Sequence, residues 1–142
     1  MYLLDTNVVS ELRKVLLGTA HRGVCAWADN EDAVDLYLSV LTVQELEVGV
    51  LLKERTDHHQ GAVLRRWLDS YLLPAFSGRI IPIDMAIVLR SAPLHVPNPR
   101  PIIDTLIAAT ALVHGMCVVT RNVADFAPTG VETLNPWDAS ED

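Results

Sequence analysis

Five polar residues could do chemistry together if the chain brings them to one place: Asp5, Glu45, Asp104, Asn122 and Asp125. Asp5 follows the apolar run Tyr2-Leu3-Leu4, and Glu45 comes a few residues after the apolar stretch 36–40. Asn122 and Asp125 follow Val118-Val119-Thr120, and Asp104 stands near the start of an apolar, alanine-rich segment. Taken singly, each acid also fits a helix cap or a first turn, where the helix dipole favours negative charge. Thr42-Val43-Gln44-Glu45 has the form of a capping box. Taken together, carboxylates crowded at one edge raise one another's pKa, and a hard divalent cation relieves that repulsion. Mg²⁺ takes oxygen ligands and keeps several waters, so two or three carboxylates suffice. The set points to Mg²⁺, with Mn²⁺ as a substitute, and to attack on a phosphate ester.

The elements that must position these residues can be read in outline. Tyr2 to Leu4 reads as a buried central strand, with Thr6 or Asn7 capping the helix that follows. A second helix is expected over 23–30, a strand over 36–40, and a helix opening at Thr42. An amphipathic helix over 62–76 should bury Val63, Leu64, Trp67, Leu68, Tyr71 and Leu72. Strands are expected at 79–83, 116–120 and 131–134, the last at a sheet edge. Asp84 should cap a helix ending near Ser91. The four prolines between Ala92 and Pro101 require irregular chain. Pro101 and Gly115 frame a helix from Ile102 to His114. Strands alternating with helices argue for an α/β fold, a parallel sheet covered on both faces. The carboxyl ends of such strands share one edge, where ligands bind.

The length of 142 residues suits one domain, expected to have its core over about 1–137 and a short acidic tail. Half of the chain is hydrophobic and a fifth is charged, as in ordinary soluble proteins. No apolar run reaches the ~18 residues of a membrane span, and no signal peptide is apparent. Cys25 and Cys117 lack a metal-ligand spacing and read as buried reduced thiols of a cytoplasmic protein. The adjacent His58 and His59 make a poor ligand pair. The net charge of −7 counts against binding nucleic acid through phosphate contacts alone, but a cation reverses the local sign. Nine of the eleven basic residues are arginine. Arg13-Lys14, Lys53 with Arg55, and Arg65-Arg66 read as solvated helix faces or as phosphate contacts.

Asp5-Thr6-Asn7, Thr42-x-x-Glu45, Asp104-x-x-Ile107-Ala108-Ala109-Thr110-Ala111 and Thr120-Arg121-Asn122-x-x-Asp125-Phe126 resemble the successive motifs of PIN-domain nucleases. The closing Leu134-Asn135-Pro136-Trp137 is similar to a subgroup of bacterial VapC-type toxins that includes FitB-like proteins. The resemblance covers nearly the whole chain. It implies a five-stranded parallel sheet and a Mg²⁺-dependent endoribonuclease acting on structured RNA such as tRNA or rRNA. It also implies a homodimer, inhibited by a small antitoxin that inserts a segment into the acidic groove. By the same resemblance Asp5 and Asp104 are the principal metal ligands and Glu45 is the third acid. Asn122 stands where many members carry a fourth acid, with Asp125 the nearest carboxylate. The expected reaction is in-line attack of a metal-activated water, leaving a 3′-hydroxyl and a 5′-phosphate. Thr6, Thr120 and Arg121 are the candidate contacts to the substrate.

Three rivals stand beside this reading. A phosphatase with an aspartyl nucleophile would want a second acid two residues after Asp5, where this chain has Asn7. A catalytically weak or inactive protein would use the acidic groove only to dock an antitoxin within a DNA-binding complex, and the Asn122 departure motivates that reading. A DNA or flap nuclease would share the same metal site.

Overall fold

Successive side chains of a strand point to opposite faces of its sheet, and the central strands of this chain use that rule to divide the core in two. β1 (Tyr2–Leu4) sends Leu3 to one side and Leu4 to the other; β4 (Cys117–Val119) does the same with Val118 and Val119. All four side chains are fully buried. β1 and β4 pair directly, with β2 (Leu36–Ser39) and β3 (Ile80–Ile81) on one flank and β5 (Thr133–Leu134) on the other. The order is β3-β2-β1-β4-β5, and every pairing is parallel. The computed structural model describes residues 1–138; beyond Asp138, the expected acidic tail lies outside the described residues. The expected α/β fold with a five-stranded parallel sheet is therefore present.

The Leu4 side is covered by α1 (Thr6–Arg13), α2 (Arg22–Asp29), α3 (Val40–Thr56) and α4 (His58–Trp67). On the Leu3 side lie α6 (Met85–Ser91), α7 (Ile102–His114) and α8 (Val123–Phe126). A π-helical turn over Leu68–Leu72 joins α4 to the short α5 (Leu73–Ala75). The prolines between α6 and α7 give a single 3₁₀ stretch, Ala92–His95, and a cis Val96–Pro97 peptide. α7 has the expected bounds, and Gly115 ends it with φ of 68°, a left-handed conformation that costs glycine least.

Several expectations need correction. The cap of α1 is Asp5 itself, whose carboxylate accepts the Thr6 N–H, rather than Thr6 or Asn7. No capping box forms at Thr42: α3 starts two residues earlier, with Ser39 Oγ accepting the Leu41 N–H at 3.0 Å. Thr42 is instead fully buried inside the helix, its hydroxyl without a partner. α4 opens at His58, where Asp57 Oδ1 accepts the Gln60 N–H, so the polar break expected over 56–61 is confined to the extended Asp57. Val63 and Tyr71 lie on the exposed side of this hairpin, at 41% and 54%. β2, β3 and β5 are also shorter than the apolar runs suggested. Cys117 is buried, and burial pushes its thiol up to about 11; Cys25 is only half-buried.

Candidate active site

β1 leads into Asp5, whose N–H is tied to the Val119 carbonyl of β4 at 2.9 Å. The side chain is 9% exposed, and a buried carboxylate needs donors around it. Three are supplied. Oδ1 accepts the Thr6 N–H at 2.9 Å, and Oδ2 accepts the Thr120 hydroxyl at 2.8 Å and the Asn7 amide at 3.3 Å. Thr120 is itself fully buried, and its Oγ1 accepts the Asn122 N–H at 3.0 Å. Asn7 Oδ1 in turn accepts the Arg121 N–H at 3.2 Å, and Asn135 donates to the Arg121 carbonyl at 3.4 Å. The ends of β1, β4 and β5 are thus laced together around one carboxylate.

Glu45 comes to the same edge from α3. Because α3 begins at Val40, Glu45 is more than a turn inside the helix and does not serve as a cap. Its Oε1 accepts the Thr6 hydroxyl at 2.8 Å. Asp104 arrives in the first turn of α7, half-buried. Its pKa is raised, first by burial and then by the negative charges of Asp5, Asp125 and Glu45. Asp104 therefore lies within electrostatic reach of three carboxylates from three other chain segments. Asp104 and Asp125 also line a cleft of about 190 Å³ with Arg100, Pro101, Ala124 and Pro128.

The remaining predicted residues fall close by. Asn122 is exposed and precedes α8 without capping it through its side chain, so the carboxylate that faces Asp104 from this segment is that of Asp125. The hydroxyls of Thr6 and Thr120, expected to meet a substrate, are engaged with Glu45 and Asp5. Arg121 is exposed, with its guanidinium 5.3 Å from the Trp137 ring centre. Arg65 is taken up by Glu47, Glu54 and Asp69 on the α3–α4 hairpin. Sequence reasoning gave Asn7 no part beyond a helix cap, though it stands inside the Asp5-Thr6-Asn7 motif, and gave Arg100 none. Both owe their places to contacts between distant segments.

The acids that act on Asp104, namely Asp5, Glu45 and Asp125, offer oxygen, the donor type of a hard divalent ion. Among the described residues, no three His, Cys, Asp or Glu side chains are grouped so that they could together hold a metal ion. An open site with few protein ligands suits an ion that retains water.

Comparison with known proteins shows the family and the fold. Residues 2–128 match the family model of the PIN domain. The chain is 37% identical over 147 residues to VapC ribonuclease Y4jK of Sinorhizobium fredii, covering 97% of this chain and 99% of that protein. It is 37% identical to toxin FitB of Neisseria gonorrhoeae, covering 96% and 99%. The crystal structure of FitAcB from Neisseria gonorrhoeae superposes with a TM-score of 0.86, at 37% identity over 96% of this chain and 99% of that one. A structure of FitAB bound to an IR36 DNA fragment gives 0.83, at 36% identity and 96% of each chain. The chain belongs to the PIN-domain family, among the ribonucleases and toxins of the VapC and FitB kind.

Proposed function

We propose that the protein is a divalent-metal-dependent endoribonuclease, Mg²⁺ being the natural ion, and the toxin of a toxin–antitoxin pair. The observation that carries this reading is the convergence of Asp5, Glu45, Asp104 and Asp125 at the carboxyl edge of the sheet. The residues fit a hard cation: the donors are all oxygen, and burial and like charge already strain Asp104. Asp5 and Asp104 would hold the ion, and Glu45 and Asp125 would add negative charge beside it. When bound, such an ion neutralises phosphate oxygens and lowers the pKa of a water that can attack phosphorus.

The chain's own residues do the positioning. Thr120, Asn7 and the Thr6 N–H fix the orientation of Asp5, and the Thr6 hydroxyl fixes Glu45. Rigid placement of these charged groups matters, since a misplacement of about 1 Å can cost ~100-fold in rate. No Ser, Cys or His nucleophile stands in the set, which favours hydrolysis by water over a covalent intermediate. In-line attack leaves a 3′-hydroxyl and a 5′-phosphate. Asp125 takes the fourth acidic position, and Asn122 contributes its backbone.

The partner is a small antitoxin protein, a reading supported by the FitAcB and FitAB complexes among the similar structures. Self-association has exposed apolar side chains to use, including Met85 and Leu89 of α6 and Ile102 of α7. No helix among the described residues is long and apolar enough to cross a membrane, and an RNA substrate puts the site of action in the cytoplasm. The DNA in the FitAB structure keeps a second reading alive, that of a docking protein without catalysis. Incubating the purified chain with total bacterial RNA and Mg²⁺, then mapping fragment ends, separates the two. Discrete fragments with 5′-phosphates, absent with EDTA, support the nuclease; intact RNA under all conditions supports the docking protein.

A further inference from the structure

Arg100 is a half-buried residue that lines one cleft with Asp104 and Asp125, yet among the described residues its guanidinium forms no ion pair with either. Arg65, by contrast, is spent on three carboxylates, and Arg79 on the carbonyls of Ala33, Leu36 and Ala75. An arginine that ignores neighbouring acids has its five donors available for an anion from outside. The backbone under it is held. His95 Nδ1 accepts the Arg100 N–H at 3.2 Å, and His95 Nε2 lies 3.0 Å from the Thr105 hydroxyl. An Nδ1 that accepts leaves Nε2 as the protonated nitrogen of the neutral ring, so Nε2 donates to Thr105 Oγ1. Thr105 is fully buried and donates onward to the Ile102 carbonyl at 2.8 Å. The imidazole thus links the residue before Pro101 to the first turn of α7, the same turn that carries Asp104.

We propose that Arg100 is a phosphate-binding residue of the active site, contacting a backbone phosphate of the RNA next to the one cleaved, and that His95 is the positioning residue that aims it. The inference rests on the nuclease reading above. An acidic cleft repels a polyanion, and a cation neutralises only the phosphate it touches. A fixed guanidinium at the cleft wall gives the neighbouring phosphate a bidentate partner and sets how the strand enters.

The test is steady-state cleavage of a labelled single-stranded oligoribonucleotide with Mg²⁺, at a series of KCl concentrations. Arg100→Gln should raise KM about tenfold, the size of a lost charged hydrogen bond, with the loss falling on KM more than on kcat. The slope of log(kcat/KM) against log salt should become shallower by about 0.7, the share of one phosphate on a single strand. Arg100→Lys should keep the slope and recover part of the affinity. His95→Ala should raise KM in the wild type but add little in the Arg100→Gln background, because the two act through one contact. That non-additivity also carries the test should Arg100→Gln prove poorly folded in one preparation, since His95→Ala with unchanged KM overturns the positioning role. An unchanged KM and salt slope in folded Arg100→Gln overturn the proposal and leave the nuclease reading standing. A wild type that cleaves no RNA removes both.

Discussion

Thr120 Oγ1 donates a hydrogen bond to Asp5 Oδ2 at 2.8 Å, across 115 residues of chain. The contact joins the ends of the two central strands, β1 and β4, and is shielded from solvent on both sides. It makes the orientation of the first acid a property of the sheet rather than of a loop.

Replacing Thr120 by Val keeps the shape and removes the hydroxyl. Asp5 Oδ2 and the Asn122 N–H each lose a partner, and leaving such groups unmet costs about 1–3 kcal/mol. We expect Thr120→Val to lower stability by that amount in urea unfolding and RNA cleavage by at least tenfold. Thr120→Ser should restore most of both. Wild-type cleavage by the Val variant would show that Asp5 does not depend on this bond.

Asp104 gives a pH signature. Burial and the charges of Asp5, Asp125 and Glu45 raise its pKa above the unfolded value. An acid shifted upward binds more protons folded than unfolded between the two values, so stability falls as pH rises through that window. In EDTA, the melting temperature of the wild type should decline from the ordinary aspartate range up to Asp104's raised pKa. Asp104→Asn should flatten that decline while abolishing cleavage. Mg²⁺ should raise the wild-type melting temperature above this window, since a ligand that binds only the folded state stabilises it. Marked destabilisation of Asp104→Asn in EDTA would instead make Asp104 a structural first-turn residue.

The α3–α4 hairpin closes at Gly61, where an added Cβ would lie 2.5 Å from the Glu54 Cα. That neighbour is backbone and cannot swing aside. Alanine gains up to ~1 kcal/mol of helix propensity, but overpacking against a fixed helix costs about 1–3 kcal/mol, so the clash should win. Gly61→Ala is expected to destabilise the domain in chemical denaturation and to loosen the Arg65 ion pairs to Glu47 and Glu54 that span the same hairpin. An equal or higher unfolding midpoint would mean that the two helices can separate freely.

Arg65 belongs to that hairpin rather than to the substrate. Arg65→Met should leave KM for RNA unchanged and lower the melting temperature at low salt, with the difference shrinking as salt rises. A raised KM would return Arg65 to the phosphate contacts.

How far the sequence could be read depended on whether a feature was local. Asp5 and Asp104 stood out because an acid next to a buried apolar run has few structural uses, and Pro101 and Gly115 framed α7 to the residue. The opening of α3 was misplaced because the apolar run of β2 passes into the helix through Ser39, a small cap with no turn signal before it. The visible Thr42-x-x-Glu45 pattern then mimicked a capping box that does not form. That error hid the partner of Glu45, since the hydroxyl it binds belongs to Thr6, 39 residues away. Thr120 meets Asp5, and the Arg121 N–H meets Asn7, only once β1 and β4 are side by side. Arg100 was hidden in a proline-rich segment whose path is set by His95 and Thr105 rather than by any periodic pattern.

The most direct measurement is calorimetric titration with Mn²⁺ of the wild type and of Asp5→Asn, each also incubated with total bacterial RNA. The account predicts binding that is lost or much weakened in the variant, with discrete RNA fragments from the wild type alone. Equal Mn²⁺ binding by both proteins, or cleavage that survives in Asp5→Asn, would contradict it.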